Sequence, residues 1–297
     1  MNDAQKPTTA AWLTQAVLDS AASARDERTR TIFRKLVGHL HAFVREVELT
    51  PQEWMAGIQF LTATGQQCDD VRQEFVLLSD TLGVSTLVDA IAAREASAGT
   101  ESSVLGPFFT TDAHDIPAGE SIAKAGSGET LFVSGQVRDT AGRPIVNASI
   151  EVWETDGTGN YDVQYVDRSQ PNCRGRLHTD AEGAFRFRAV LPVSYSIPGD
   201  GRVGEMLAAL GRHTMRPAHL HFKIEAPSFL PLTTALYVKG DPYLDGDAVF
   251  GVKPSLVSDF VRHDDPAGAS ERGCEPPFYT LEADFVLVHA CSGVDGS

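Results

Sequence analysis

The segment Arg216-Pro217-Ala218-His219-Leu220-His221-Phe222 carries the densest chemistry in this 297-residue chain. On a β-strand, residues two apart point to the same face about 6.5–7 Å from each other. Two imidazoles so placed can converge on one metal ion. A lone His-x-His is equally a pair of surface histidines on a polar strand face, so a metal requires further ligands. Cys68, Cys173, Cys274 and Cys291 lie far apart with no CxxC pair. They suit ordinary thiols in a reducing compartment better than a zinc knuckle or a disulfide scaffold. Asp and Glu together number 40, too many for spacing to single one out. The tyrosines number only six, and two have unusual settings. Tyr161 closes the Gly-rich stretch Trp153-Glu154-Thr155-Asp156-Gly157-Thr158-Gly159-Asn160-Tyr161. Tyr195 sits among turn residues in Leu191-Pro192-Val193-Ser194-Tyr195-Ser196-Ile197-Pro198-Gly199-Asp200-Gly201. Taken singly, each is also what a half-buried tyrosine with a satisfied hydroxyl looks like.

Two kinds of element must position these groups. The first hundred residues have helical periodicity, with Ile32, Phe33, Leu36, Val37, Leu40, Phe43, Val44 and Val47 on one face. Thr50-Pro51-Gln52-Glu53 is a helix start, with a Thr cap, Pro in the first turn and Glu three residues after the cap. A further helix is expected after Asp69-Asp70, stopped by Gly83, and Ser85 is placed to cap a short successor. Beyond about residue 100, Gly and Pro become frequent and the period falls to two. Thr130–Asp139, Ala148–Thr155, Gly183–Val190, Ala218–Glu225, Thr233–Val238 and Tyr279–His289 all have strand character. The expected architecture is mainly β: an antiparallel β-sandwich catalytic domain over residues 106–297, preceded by a helical domain over residues 1–105.

A net charge of -15 opposes binding to nucleic acid or to anionic membranes. The first residues lack a basic stretch followed by an apolar core, and no run of about 18 apolar residues occurs. A cytoplasmic location with no membrane partner is therefore expected.

Larger motifs decide among the metals. Gly135-Gln136-Val137-Arg138-Asp139, Gly142-Arg143-Pro144, Glu151-Val152-Trp153 and Gly159-Asn160-Tyr161 together resemble the signature of the intradiol ring-cleavage dioxygenases. Tyr195 lies in a segment similar to that family's second ligand tyrosine, and residues 216–222 resemble its Arg-Pro-x-His-x-His block. The order and spacing agree, and the likeness extends through Leu105-Gly106-Pro107-Phe108 into the helical part. The resemblance implies one Fe(III) per subunit held by Tyr161, Tyr195, His219 and His221. Two tyrosinates and two neutral imidazoles suit a hard trivalent ion, and binding to it would displace the phenolic protons. A ferrous site of two histidines and one carboxylate is the rival arrangement. The resemblance also implies that O2 opens an aromatic diol or triol between its adjacent hydroxyl-bearing carbons, leaving a dicarboxylic acid. Tyr195 matches the tyrosine that leaves the metal and takes a proton, and Arg216 the arginine that stabilises developing negative charge. A binding module that had kept the fold without the iron would be expected to lack a ligand, and all four are present.

Within the family, Leu78-Ser79-Asp80-Thr81-Leu82-Gly83-Val84-Ser85 and Asp247-Ala248-Val249-Phe250-Gly251-Val252-Lys253 resemble the hydroxyquinol branch. Hydroxyquinol (1,2,4-trihydroxybenzene) is thus the expected substrate, giving 3-hydroxy-cis,cis-muconate or maleylacetate, with catechol or a chlorocatechol as the alternative. Asp80 could accept a hydrogen bond from the third ring hydroxyl. The same resemblance assigns Leu77, Val104, Leu105, Gly106, Pro107, Phe108, Ile197, Pro198, Arg216 and Val249 to the substrate pocket. Ala235 departs from the Gln usual in catechol-cleaving relatives, Arg202 from a frequent Pro and Thr155 from a common Ala. By resemblance the chain forms a homodimer through its N-terminal helices, with lipid sometimes held between them.

Overall fold

The structure, a computed structural model, describes residues 10–69, 72–93 and 98–290. Its backbone divides into two compact units, Met1–Ala63 and Thr64–Ser297.

The first unit holds helices α1 (Ala10–Asp19) and α2 (Glu27–Glu46) and most of α3 (Pro51–Gln66). Asp26 caps α2 by accepting Thr29 N at 2.7 Å. The capping box anticipated at α3 forms: Glu53 N donates to Thr50 Oγ1 at 3.3 Å, and Thr50 N donates to Glu53 Oε2 at 2.9 Å. Of the apolar positions on α2, Val37 is buried, whereas Ile32, Leu36, Leu40 and Phe43 are exposed.

The second unit opens with α4 (Glu74–Thr81) and α5 (Val84–Ala92). The helix expected after Asp69-Asp70 begins at Glu74; Asp69 closes a turn by accepting Arg72 N at 2.6 Å, and Asp70 lies outside the described residues. Gly83, at φ +71°, is itself the residue before α5, so the successor helix starts one residue before Ser85. Ser85 does not cap it; its Oγ pairs instead with Ser79 Oγ at 2.9 Å.

Two five-stranded sheets follow. One comprises β1 (Thr130–Asp139), β4 (Ala184–Val190), β10 (Val261–His263), β11 (Phe278–Glu282) and β12 (Phe285–Leu287). The other runs in the order β3 (Arg174–His178), β2 (Ser149–Trp153), β7 (His219–Glu225), β8 (Leu232–Val238), β9 (Val257–Ser258). A two-residue ribbon, β5 (Tyr195–Ser196) with β6 (Met215–Arg216), brackets α6 (Arg202–Ala209), and α7 covers Pro266–Arg272. Most pairings are antiparallel, but β1 runs parallel to β11 and β12, and β8 to β9, so the sheets are mixed.

The segment expected as one strand over 279–289 is two. Its ladder with β1 is interrupted at Ala283–Asp284, where the Asp284 carboxylate accepts Gln136 N at 2.8 Å in place of a backbone carbonyl. A Cβ on Gly135 would stand only 2.0 Å from Ala283 O, so no side chain fits opposite the break.

Leu220, Phe222 and Ile224 of β7 face the opposing sheet, and Phe222 meets Phe187 and Phe285 across the sandwich at centroid distances of 6.4 and 4.8 Å. The period-two pattern then turns His219 and His221 to the other face of β7.

Candidate metal centre

Although they face away from the sandwich interior, His219 and His221 are 2% and 1% exposed, because loops close over them. Central placement of β7, between β2 and β8, fixes their backbone on both sides. Their Nε2 atoms stand 3.0 Å apart. His219 Nδ1 lies 2.7 Å from the Pro217 carbonyl, an oxygen that can only accept. Nδ1 therefore carries the proton, and Nε2 presents its lone pair inward. The His221 ring stacks on Trp153 at 4.6 Å and 4°. Burial, reinforced by Arg216, holds the His219 imidazole well below its ordinary range; burial, then His219 and Arg216, do the same for His221. Both imidazoles are thereby held neutral, the form able to bind a metal ion.

Tyr161 arrives on the loop after β2. Asp156 folds that loop, its Oδ1 accepting Thr158 N at 2.9 Å and Thr158 Oγ1 at 2.7 Å, while its Oδ2 accepts Tyr165 Oη at 2.6 Å. Gly159, at φ +84°, takes the turn that few other residues tolerate. Phe108 stacks on the Tyr161 ring at 4.5 Å. Behind it, buried Arg174 forks onto Asp162, donates to Thr110 Oγ1 at 2.7 Å and to the Phe108 carbonyl at 3.2 Å. Tyr161 Oη donates to Tyr195 Oη at 3.4 Å. Burial, then Tyr195, pushes the Tyr161 phenol well above its ordinary value, so it stays protonated unless a cation displaces the proton.

Tyr195 on β5 is the register partner of Arg216 on β6. Arg216 Nη1 lies 3.2 Å from both Tyr195 Oη and His219 Nε2. Burial opposes the guanidinium charge, but Asp247, Tyr195 and Tyr237 more than offset it and the cation is retained.

Phenol oxygens and imidazole nitrogens thus gather at one buried point. Two imidazole nitrogens sharing one ion at about 2.0–2.1 Å, roughly at right angles, would stand about 3 Å apart, which matches the histidine pair. Among the described residues no group of three or more His, Cys, Asp and Glu side chains gathers to hold a metal, so no carboxylate completes the two histidines. The donor chemistry fits a hard ion that takes phenolate oxygen.

Most of the residues expected to line the substrate pocket fall in two cavities that meet at Pro107. Leu77, Pro107, Phe108 and Pro198 line one of about 480 Å³. Asp80, Val104, Leu105, Gly106 and Pro107 line another of about 610 Å³. Gly106, at φ +74°, borders the histidine pair: a Cβ there would lie in ordinary contact with His221 Nε2, at 3.9 Å. Ile197, Arg216 and Val249 are buried and line neither cavity. Asp80 is buried, its Oδ2 has no hydrogen-bond partner, and burial raises its pKa against the opposing pull of Ser85.

Of the departures, Ala235 is the fully buried cross-strand partner of His221, whose Nδ1 has no hydrogen-bond partner. Arg202 opens α6 and pairs with Glu205 at 2.6 Å, and Thr155 is buried with Oγ1 unpartnered. Trp153 and Asp247 stand within motifs that the sequence singles out without giving either residue a role, and Arg174 and Tyr237 carry no sequence signal of their own. A buried Arg216 requires a buried carboxylate, but nothing in spacing selects Asp247 among 40 acids.

A family profile described as "Dioxygenase" matches residues 104–287, and one described as "Catechol dioxygenase N terminus" matches residues 26–100. The chain is therefore a dioxygenase, an oxidoreductase by class. It is 48% identical over 276 residues to the intradiol ring-cleavage dioxygenase hqdA of Aspergillus niger, covering 93% of this chain and 84% of that protein. It is 46% identical to the 6-chlorohydroxyquinol 1,2-dioxygenase of Cupriavidus pinatubonensis, covering 93% and 96%. The crystal structure of hydroxyquinol 1,2-dioxygenase from Pseudomonas putida DLL-E4 superposes with a TM-score of 0.85 at 47% identity, covering 95% and 99%. Similarity to a protein named catechol 1,2-dioxygenase, from Candida albicans, is lower, at 37%. The chain belongs to the intradiol ring-cleavage dioxygenase family.

Proposed function

We propose that the protein opens hydroxyquinol with O2 between its adjacent hydroxyl-bearing carbons. The observation that carries this is the convergence of Tyr161, Tyr195, His219 and His221 at one buried point, beside a cavity walled by Asp80. Family members generally depend on non-haem ferric iron. Here Tyr161, Tyr195, His219 and His221 would hold one Fe(III) per subunit. When bound, the ion supplies Lewis acidity toward the catechol oxygens and a redox centre for the reaction with O2.

The chain's own groups do the rest. Tyr195, on its short ribbon, would be the side chain that, as phenolate, accepts a proton from an incoming ring hydroxyl and becomes a neutral phenol. Arg216 is a fixed cation beside it and stabilises negative charge as it develops on the ring oxygens. Pro107 and Phe108 hold the ring plane, and loop closure over the histidines keeps bulk water out. Asp80 receives the third hydroxyl, a group that catechol lacks. The exposed apolar face of α2 is suited to a homodimer contact, testable by sedimentation.

The test is a visible spectrum of iron-loaded protein, followed by anaerobic titration with hydroxyquinol and catechol. A broad tyrosinate-to-iron band that shifts at lower hydroxyquinol than catechol concentration is expected. No band in fully iron-loaded protein would remove the tyrosine ligands; a preference for catechol would keep the chemistry and overturn the substrate.

A further inference from the structure

We infer that Asp247 is a positioning residue that holds Arg216 between Tyr195 and His219; this rests on the function proposed above. Arg216 is 2% exposed. A guanidinium keeps its charge at any accessible pH, so burial demands a counter-charge with matched geometry. Asp247 provides it as a fork, with Arg216 Nε donating to Oδ1 at 3.0 Å and Nη2 to Oδ2 at 3.3 Å. Nη2 donates also to Tyr237 Oη at 3.3 Å, and that hydroxyl pairs with Ser103 Oγ at 3.0 Å. One edge of the guanidinium is thereby occupied. Nη1 alone is left to face the site, and it reaches Tyr195 Oη and His219 Nε2. Turning the guanidinium would break both Asp247 contacts at once.

Asp247 is fixed in its turn by the backbone. Its Oδ1 accepts Val249 N at 3.2 Å and its Oδ2 accepts Gly251 N at 2.9 Å. Phe250, between them, sits at φ +57°. At Gly251 a Cβ would meet Tyr237 Oη at 2.8 Å, Arg216 Nη2 at 3.1 Å and Asp247 Oδ2 at 3.2 Å, so the turn can press against the guanidinium only without a side chain. One carboxylate therefore couples the turn over 247–251 to the direction of Nη1. Fixing the dipole or charge before reaction is what makes such a group effective.

The experiment is Asp247→Asn, loaded with iron and compared per bound iron. Asn offers an amide N–H2 toward a guanidinium that has only donors, so the fork is lost while volume is kept. Expected are a fall in kcat of about 10–100-fold, KM for hydroxyquinol within about threefold, and a shifted tyrosinate band in the resting enzyme. Unchanged kcat, or a fall in kcat with an unshifted band, would overturn the inference, since Arg216 would then have kept its place at Tyr195. If the Asn variant does not fold, Tyr237→Phe is read by the same two signals, with a smaller fall of about 3–10-fold. Wild-type protein that lacks the band or does not turn over hydroxyquinol fails the earlier proposal instead, before either variant is compared.

Discussion

Removing the Asp80 carboxylate should collapse discrimination between hydroxyquinol and catechol. Asp80 is 2% exposed, and its Oδ2 has no hydrogen-bond partner. It lines the cavity that meets Gly106 and Pro107, beside His221. A buried polar atom left unpaired costs about 1–3 kcal/mol. Hydroxyquinol would relieve that penalty through its third hydroxyl, and catechol would not. At about 1.4 kcal/mol per tenfold, this corresponds to roughly 5–150-fold in relative kcat/KM. Asp80→Ala should therefore lower kcat/KM for hydroxyquinol by about that factor, while catechol changes by less than about threefold. Asp80→Asn, whose amide oxygen still accepts from a ring hydroxyl, should retain an intermediate preference. Initial rates of O2 consumption, normalised to bound iron, give both constants. An equal loss on the two substrates would show that Asp80 supports the helix end and does not read the ring.

Three more outcomes are expected. Tyr161→Phe offers no phenolate and should abolish or greatly weaken the visible band and activity; retention of both would take Tyr161 out of the ligand set. Arg174→Met leaves Asp162 buried with only Arg168 for charge and removes the link to the Phe108 carbonyl, so it should destabilise the protein by about 3–5 kcal/mol and lower Tm by roughly 6–20 °C. A Tm within about 2 °C of wild type would refute it. Glu154 is fully buried, its Oε2 is unpartnered, and burial raises its carboxyl well above the ordinary 4.5 against the hydrogen bond from Val190 N. Above pH 4.5 the unfolded chain loses this proton while the folded chain keeps it, so stability falls as pH rises toward the folded pKa. Glu154→Gln should remove that slope and gain on wild type by about 1.4 kcal/mol per pH unit in that window; a constant difference between the two would refute it.

The strands that carry the histidines were legible because period-two apolar residues, such as Leu220, Phe222 and Ile224, must face a core. The capping box at Thr50 and Glu53 was equally local. Short strands such as Tyr195–Ser196 and Met215–Arg216 were invisible, since two residues carry no period and the pairing comes from distant chain. The break at Ala283–Asp284 escaped because one side chain substitutes for a ladder carbonyl, which no propensity encodes. In the site, histidine spacing was readable, whereas the tyrosines needed a family pattern. Asp247 and Arg174 depend on tertiary closure, and the pocket residues on how loop 103–108 lies over the sheet.

The four inward-facing rings have unequal anchorage. His219 and His221 ride an interior strand bonded along both edges. Their amides should exchange with deuterium only through near-global opening. Tyr195 sits on a two-residue ribbon outside both sheets. Its amide should exchange through a far smaller local opening. The histidines are thus held by a strand paired along its length, whereas Tyr195 depends on one short ribbon and on its hydrogen bonds with Tyr161 and Arg216.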